Sequence, residues 1–284
     1  MWLPVALLGA PRVAAARPTG AWRRHLNLTR ELAVTQFKLK YTGSVLGYVW
    51  SAFKPGMYFA ILYVVFVDLL HASSRSPNFP VQLLLGIVLF TFFQETTGAS
   101  VNAIAGNGHI IRKAYFPRVI LIIAATLSAC ITFAINLTLV VIIAAAIGNL
   151  DLGLRSLAMI PLLIELYALI LGIGLFLSAV FVFYRDVGHF WEIITQLLLY
   201  AAGVVFPLDI AFGHRFLEKL LLMNPMGQIV EDARHAIASG SPEVPWSFHE
   251  LGILEVVPLG LVVLALVGGS LVFRRLTPRF AESL

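Results

Sequence analysis

Charge is scarce in this 284-residue chain: 12% of its residues are Asp, Glu, Lys or Arg, about half the share of an average soluble domain. There is one cysteine, Cys130, and it sits inside an apolar run. Neither a disulfide framework nor a thiolate metal cluster is available, and no metal site is expected. No Gly-x-x-x-x-Gly-Lys-Ser/Thr stretch occurs, so the chain cannot cradle ATP in that way. Asp68, Asp151 and Asp209 are scattered single acids that form no constellation for sugar transfer, and no catalytic residue is expected. The apolar runs do not alternate with polar residues, which excludes barrel strands. No repeat relates the two halves, which argues against a secondary transporter with an ion-coupling site.

What fills the space is hydrophobic: 59% of residues, with a mean hydropathy of +0.89. Apolar runs repeatedly reach about 20 residues, the length that crosses a bilayer as helix. The class is therefore all-α, a polytopic membrane protein. Six transmembrane helices are expected near residues 55–70, 81–105, 119–147, 157–183, 187–207 and 251–273. The net charge of +5 suggests an anionic membrane surface before nucleic acid, because the positive residues flank apolar spans. With the N-terminus inside, the cytoplasmic segments hold all of the Lys and Arg except Arg75, Arg155, Arg215, Lys219 and Arg234. That bias places both termini in the cytoplasm of a multi-pass plasma-membrane protein.

Residues 1–25 have an apolar stretch, Leu3–Ala16, that has no basic start, contains Pro4 and Pro11, and is followed by Arg17, Arg23 and Arg24. They read as a flexible cytoplasmic extension rather than a signal peptide. In residues 26–54, Arg30, Lys38 and Lys40 alternate with Leu28, Leu32, Phe37, Leu39 and Tyr41. This suits an amphipathic interface helix in the headgroup plane, with Tyr48 and Trp50 at interface depth and Lys54-Pro55 marking the way into the membrane. A plain membrane anchor fits the same pattern. The transmembrane domain then runs over 55–273, and 274–284 form a cytoplasmic tail.

Residues 106–118 make a basic island between two spans. Gly106 and Gly108 break the incoming helix and Pro117 punctuates the next. Residues 109–116 have room for about two amphipathic turns, with Ile110, Ile111, Tyr115 and Phe116 toward the membrane and Arg112, Lys113 and Arg118 in the cytoplasm. An ordinary topogenic loop is the alternative. Residues 208–250 are long and amphipathic, broken at Asn224-Pro225. Neither half can span alone, so two re-entrant outer helices over about 209–240 fit, as does a solvated loop on the outer leaflet. Within the spans, Gln94, Glu95, Asn102, Asn136, Glu165, Glu192, Thr195 and Gln196 should face the bundle or a wet cavity. Phe90, Phe93, Glu95, Trp191 and Tyr200 are the channel-lining candidates, with core packing the commoner role for such aromatics.

Three stretches carry a family likeness. The segment Lys40-Tyr41-Thr42-Gly43-Ser44-Val45-Leu46-Gly47-Tyr48-Val49-Trp50 with Pro55, the loop from Ile110 to Arg118, and the turn Tyr184-Arg185-Asp186-Val187 resemble the permeases of ABC polysaccharide exporters, which move O-antigen, teichoic acid, capsule or cell-wall galactan. The likeness covers nearly everything after residue 25, and Asn224-Pro225 sits where that family divides its two outer gate helices. It implies a permease that is not itself an enzyme, paired as a homodimer with a separate nucleotide-binding ATPase subunit that holds ATP and Mg. It further implies a lipid-pyrophosphate-linked polysaccharide as cargo. Ile110, Ile111, Arg112, Lys113, Tyr115, Phe116, Arg118, Arg185 and Asp186 would couple to the ATPase, though Arg185 and Asp186 suit a pairing with lipid phosphate or each other nearly as well. Arg30, Lys38 and Lys40, with Tyr48 and Trp50, would meet the headgroup. A sister ABC permease for drugs or lipids would share the fold; an ion-coupled transporter is the more distant rival.

Overall fold

The computed structural model describes residues 21–41, 49–65, 79–113, 116–147, 153–205, 215–237, 246–247 and 251–280, and no strand occurs among them. The helices are α1 (Ala21–Tyr41), α2 (Val49–Tyr63), α3 (Phe79–Val101), α4 (Gly108–Lys113), α5 (Val119–Ile147), α6 (Met159–Phe181), α7 (Val187–Ala201), α8 (Arg215–Leu222), α9 (Pro225–Ile237) and α10 (Val256–Leu276). Long runs of Ile, Val and Leu, which would suit strands in water, are helical here. In hydrocarbon a helix satisfies its own backbone groups, whereas an open sheet edge does not.

Among the described residues, four stretches are long and apolar enough to cross a membrane: Phe79–Val101, Val119–Ala146, Arg155–Phe181 and Gly252–Arg279. Two more spans are expected from the sequence. Their described parts are α2 and α7, of 15 residues each, or about 22 Å of helix. Residues 1–20, 42–48, 66–78 and 206–214, where the N-terminal extension, Tyr48 and the ends of these spans fall, lie outside the described residues.

Element boundaries differ from expectation in two places. The helix carrying Pro55 begins at Val49, so Pro55 lies inside α2 rather than at its start. A proline forfeits one backbone bond, which membrane helices tolerate where neighbours re-satisfy the carbonyl. α3 ends at Val101, before Gly106. Thr96, Thr97 and Ser100 turn their hydroxyls onto the carbonyls four residues back, Phe92, Phe93 and Thr96. Such back-bonding loosens the helix ladder, and here it falls in the last turns. The chain then passes through a 3-10 turn, Ala105–Asn107, before α4.

Most of the packing divides between two apolar clusters, with Leu222 and Leu251 forming a small third. The larger gathers buried side chains of α3, α5, α6, α9 and the turn after α7, with Phe93, Leu166, Ile170, Val204 and Ile229 at its centre. The smaller lies at the α4 end and holds Ile104, Leu121, Ile122, Leu175, Phe273 and Phe280. α6 contributes to both, and its closest partner is α10. They cross at Gly172 and Gly269: a Cβ on Gly172 would stand 2.5 Å from the Ala265 carbonyl carbon, and one on Gly269 would strike the Gly172 carbonyl oxygen. Small residues at such crossings let backbones approach, and in lipid that contact replaces the missing hydrophobic drive between helices. Gly172→Leu or Gly269→Leu should therefore destabilise the fold by about 1–3 kcal/mol through overpacking. A thermal melt in detergent should fall by several degrees, whereas Gly260→Leu, where a Cβ meets nothing within 4 Å, should leave it unchanged.

Candidate functional site

The basic loop between α3 and α5 is built against the bundle. Ile111 and Phe116 pack onto the cluster of Leu121, Ile122, Phe273 and Phe280. Arg118 is held within the chain: its Nη1 donates to the Thr277 carbonyl and its guanidinium lies 5.7 Å from the centre of the Phe280 ring. Phe280, fully buried, also meets Phe273 at 5.6 Å and Phe183 at 6.1 Å between ring centres. Phe183 stands immediately before the exposed turn of Tyr184, Arg185 and Asp186. One aromatic cluster therefore joins the loop after α4, the α6–α7 turn and the end of α10. Ile110, Arg112 and Lys113 belong to α4, but their side chains, with Tyr115, lie outside the described residues.

A second group forms where α1, α2 and α3 meet. Lys40 Nζ lies 3.0 Å from Glu95 Oε2, and Lys54 Nζ lies 3.4 Å from Glu95 Oε1. Glu95 and Lys40 line a cavity of about 350 Å³ with Gln36, Ser128 and Thr132. Arg30 lies along a different, mainly apolar groove of about 700 Å³ between α1 and α5. Lys38 is exposed, and Trp50, half exposed, stacks edge-on against Phe53 at 5.0 Å.

The aromatic candidates separate. Phe90 and Tyr200 line one cavity of about 360 Å³ with Tyr58, Gln94 and Gln196. Phe93 is buried and meets Trp191 at 6.0 Å, while Trp191 Nε1 donates to Thr97 Oγ1 at 3.0 Å. Glu192 departs from expectation: it is exposed and lies 3.8 Å from His189. α7 begins at Val187, so Glu192 falls in its second turn, among the exposed side chains Phe190, Ile193 and Leu197. Asn136 and Thr195 are buried, and Thr195 Oγ1 donates to the Trp191 carbonyl at 3.0 Å.

At the opposite end, α8 and α9 are divided at Asn224. Its Oδ1 accepts from Met226 N at 3.1 Å and its Nδ2 donates to the Ala201 carbonyl at 3.3 Å. Asn caps the helix while Pro225 begins it without needing a donor. α9 is enclosed: Met226, Ile229, Val230, Ala233, Ala236 and Ile237 are buried, and so are Gln228, Glu231, Asp232 and Arg234. A solvated loop does not describe this helix. Arg234, counted from the sequence among outer-loop charges, is 1% exposed. Its Nε donates to Gln82 O at 3.2 Å, Nη1 to Gly203 O at 2.9 Å and Glu231 Oε2 at 3.0 Å, and Nη2 to Val204 O at 2.8 Å. Asp232 accepts from Ser247 N, Ser247 Oγ and Gln228 Nε2, all at 2.8 Å. Sequence reasoning missed this network. The available signal was the run Glu231-Asp232-Ala233-Arg234 inside an otherwise amphipathic helix, and Gly86, where a Cβ would stand 2.9 Å from Arg234 Nη2.

Removing the guanidinium would leave Glu231 and three carbonyls buried without their partner. Arg234→Met should cost about 3–5 kcal/mol, read as a lower melting temperature and loss of the monodisperse peak in detergent. The double variant Arg234→Met/Glu231→Met should recover part of that loss, because it removes the stranded charge as well.

The model of the ABC-2 type transporter family matches residues 27–237, from within α1 to the last residue of α9. The chain is similar to the O-antigen export system permease protein RfbA of Myxococcus xanthus, with 24% identity over 265 residues, 92% of this chain and 96% of that one. A permease of the same name from Klebsiella pneumoniae is 25% identical over 248 residues, covering 87% of this chain and 91% of its own. The polysialic acid transport protein KpsM of Escherichia coli is 25% identical over 228 residues, 80% and 88% of the two chains.

Proposed function

This chain belongs to the ABC-2 type transporter family, and from that premise we propose that it is the membrane permease of an ATP-driven exporter of a lipid-linked polysaccharide. The near end-to-end match to a permease named for O-antigen export carries the reading. In it, α2 and α7 continue to complete six spans, α1 lies at the cytoplasmic interface, and α8 and α9 form the outer gate. Both termini are cytoplasmic and the protein sits in a bacterial inner membrane. Two copies pair with two ATPase subunits, which bind ATP and Mg and perform the hydrolysis; this chain supplies the path.

The parts then have distinct roles. α4 with Arg112, Lys113 and the turn at Arg185-Asp186 receives the ATPase. Ile111, Phe116 and Arg118 fasten that receiving surface to α5 and α10, so a push on the loop acts on two spans through the shared aromatic cluster. Arg30, Lys38 and Lys40 draw the anionic headgroup to the cytoplasmic leaflet. Phe90 and Tyr200, which line one cavity, offer the sugar chain aromatic surface, while Phe93 and Trp191 pack against each other instead, and Asn224-Pro225 sets the hinge of the gate.

Co-expression with candidate ATPase subunits tests the reading. A complex should survive purification in detergent, and its ATP hydrolysis should respond to lipid-linked glycan. Charge reversal in Arg112→Glu/Lys113→Glu should bring export to background while membrane insertion and protein yield stay at the wild-type level. Export retained in that variant would remove α4 from the coupling role.

A further inference from the structure

We propose that Glu165, Asp232 and Glu255 form a proton-binding site around Ser247 and Gln228, and that its protons latch α9 to α6 and to the turn before α10. The site stands on the fold; its meaning as a latch on the outer gate rests on the exporter reading. Three elements supply the acids. Glu165 lies on α6, Asp232 on α9 and Glu255 in the 3-10 turn Gly252–Glu255 that leads into α10. Gln228, Asp232 and Ser247 are 3%, 4% and 1% exposed, while Glu165 and Glu255 are half-buried. Glu165 faces the Gln228 amide and lies within range of the charge on both other acids.

The hydrogens present do not suffice for three carboxylates. A serine hydroxyl has one hydrogen, yet Ser247 Oγ lies 2.8 Å from Asp232 Oδ2 and 3.3 Å from Glu255 Oε1. If that hydrogen serves Asp232, the contact with Glu255 needs one from the acid. Gln228 Nε2 spends a hydrogen on Asp232 as well. Glu165 Oε1, Glu255 Oε2 and Gln228 Oε1 are then left as buried oxygens without a donor, each at a cost that an added donor removes. Water would bring hydrogens but no charge, and carboxylates that share a site keep a proton between them. The chain's own cations are engaged or turned elsewhere. Arg234 spends its donors on Gln82, Gly203, Val204 and Glu231. Arg155, in the turn before α6, is exposed and makes no ion pair with the three acids. His235 lies against the Trp246 ring at 4.3 Å, and Lys219 on α8 is exposed. Tyr167 on α6 turns to Thr126 on α5, and Glu95, the ionisable residue of α3, meets Lys40 and Lys54. Nor do the acids converge as metal ligands: among the described residues no three His, Cys, Asp or Glu could hold an ion. Protons are the charge that fits.

The test reads the full chain in phosphatidylcholine nanodiscs by infrared spectroscopy, for the carbonyl stretch of a neutral carboxyl. The wild-type chain should show that band at neutral pH. Glu165→Gln and Glu255→Gln should each diminish it, and Glu192→Gln, at an exposed acid of α7, should leave it unchanged. Because the folded chain then holds protons that the unfolded chain releases, stability should fall as pH rises. The folding ratio drops about tenfold per pH unit for each such proton. Melting temperatures from about pH 5.5 to about pH 8.5 measure that slope, which should flatten in Glu165→Gln/Glu255→Gln, whose amides stay neutral. Amide hydrogen exchange of α9, corrected for its intrinsic pH dependence, should quicken at the higher pH in the wild type and not in the double variant. A neutral-carboxyl band that neither substitution changes, or a slope that the double variant keeps, overturns the site. Calcium or magnesium that raises the wild-type melting temperature at fixed pH, without effect on the double variant, assigns the charge to a metal ion and overturns it too. ATP-dependent export separates the two levels. Export without the band would overturn this site and leave the exporter reading standing. The band and the slope in a chain that no ATPase subunit joins would do the reverse.

Discussion

Arg234 sets the geometry at one end of this molecule. α9 carries Glu231, Asp232, Arg234 and His235, yet it packs between α3 and α6 with nearly every residue buried. A buried guanidinium is tolerable only when its donors are satisfied, and here the acceptors belong to three elements: Gln82 at the start of α3, Gly203 and Val204 after α7, and Glu231 on α9 itself. Gly203 takes a positive φ of 60°, which turns its carbonyl back into the bundle at the end of α7. The negative end of that helix dipole favours a cation. Asn224 grips the same place by donating to Ala201 O, so the end of α7 is fixed from both ends of α9.

The α4 end is held by different forces. Phe183, Phe273 and Phe280 form an aromatic cluster, and Arg118 spends its charge on a backbone carbonyl and a ring face. Such contacts are worth less individually than a satisfied buried guanidinium. α6 joins the two regimes, since it lines both apolar clusters and is locked to α10 at Gly172 and Gly269. On the proposed reading this is a useful division: the end that receives the ATPase is adjustable, while the far end is pinned by directional bonds.

Much of the scaffold was legible in the sequence because it depends on local pattern. The apolar runs of α3, α5, α6 and α10 declare themselves by length, the short helix at 108–113 by its flanking Gly and Pro, and the α8–α9 break by Asn224-Pro225. What escaped was tertiary. Lys40 and Lys54 meet Glu95 across separations of 55 and 41 residues, which no spacing rule reaches. Arg234 was read as an outer-loop charge because orientation rules count basic residues without asking which are buried. Glu192 was expected to face the bundle or a wet cavity because a span was drawn around it, whereas it lies among the exposed side chains of α7. The start of α2 at Val49 was obscured by Pro55, whose usual meaning as a helix boundary is relaxed in a membrane.

A membrane also reverses which surface features carry information. Phe190, Ile193, Leu197 and Tyr200 on α7, and Val263, Leu264 and Val267 on α10, are more than half exposed. In water such faces would demand a partner; among lipid tails they are at no disadvantage, since lipid is as apolar as they are. Their exposure therefore argues neither for nor against a second copy. The polar groups do discriminate, because each must be satisfied by the protein or by a ligand. Arg234 is satisfied by the chain and closes the far end. Glu95 is satisfied by two half-exposed lysines beside an open cavity, an arrangement that fastens little. The difference between those two charged groups, one enclosed and complete, the other accessible beside a cavity, is the physical ground for treating the first as fixed architecture and the second as a looser tie.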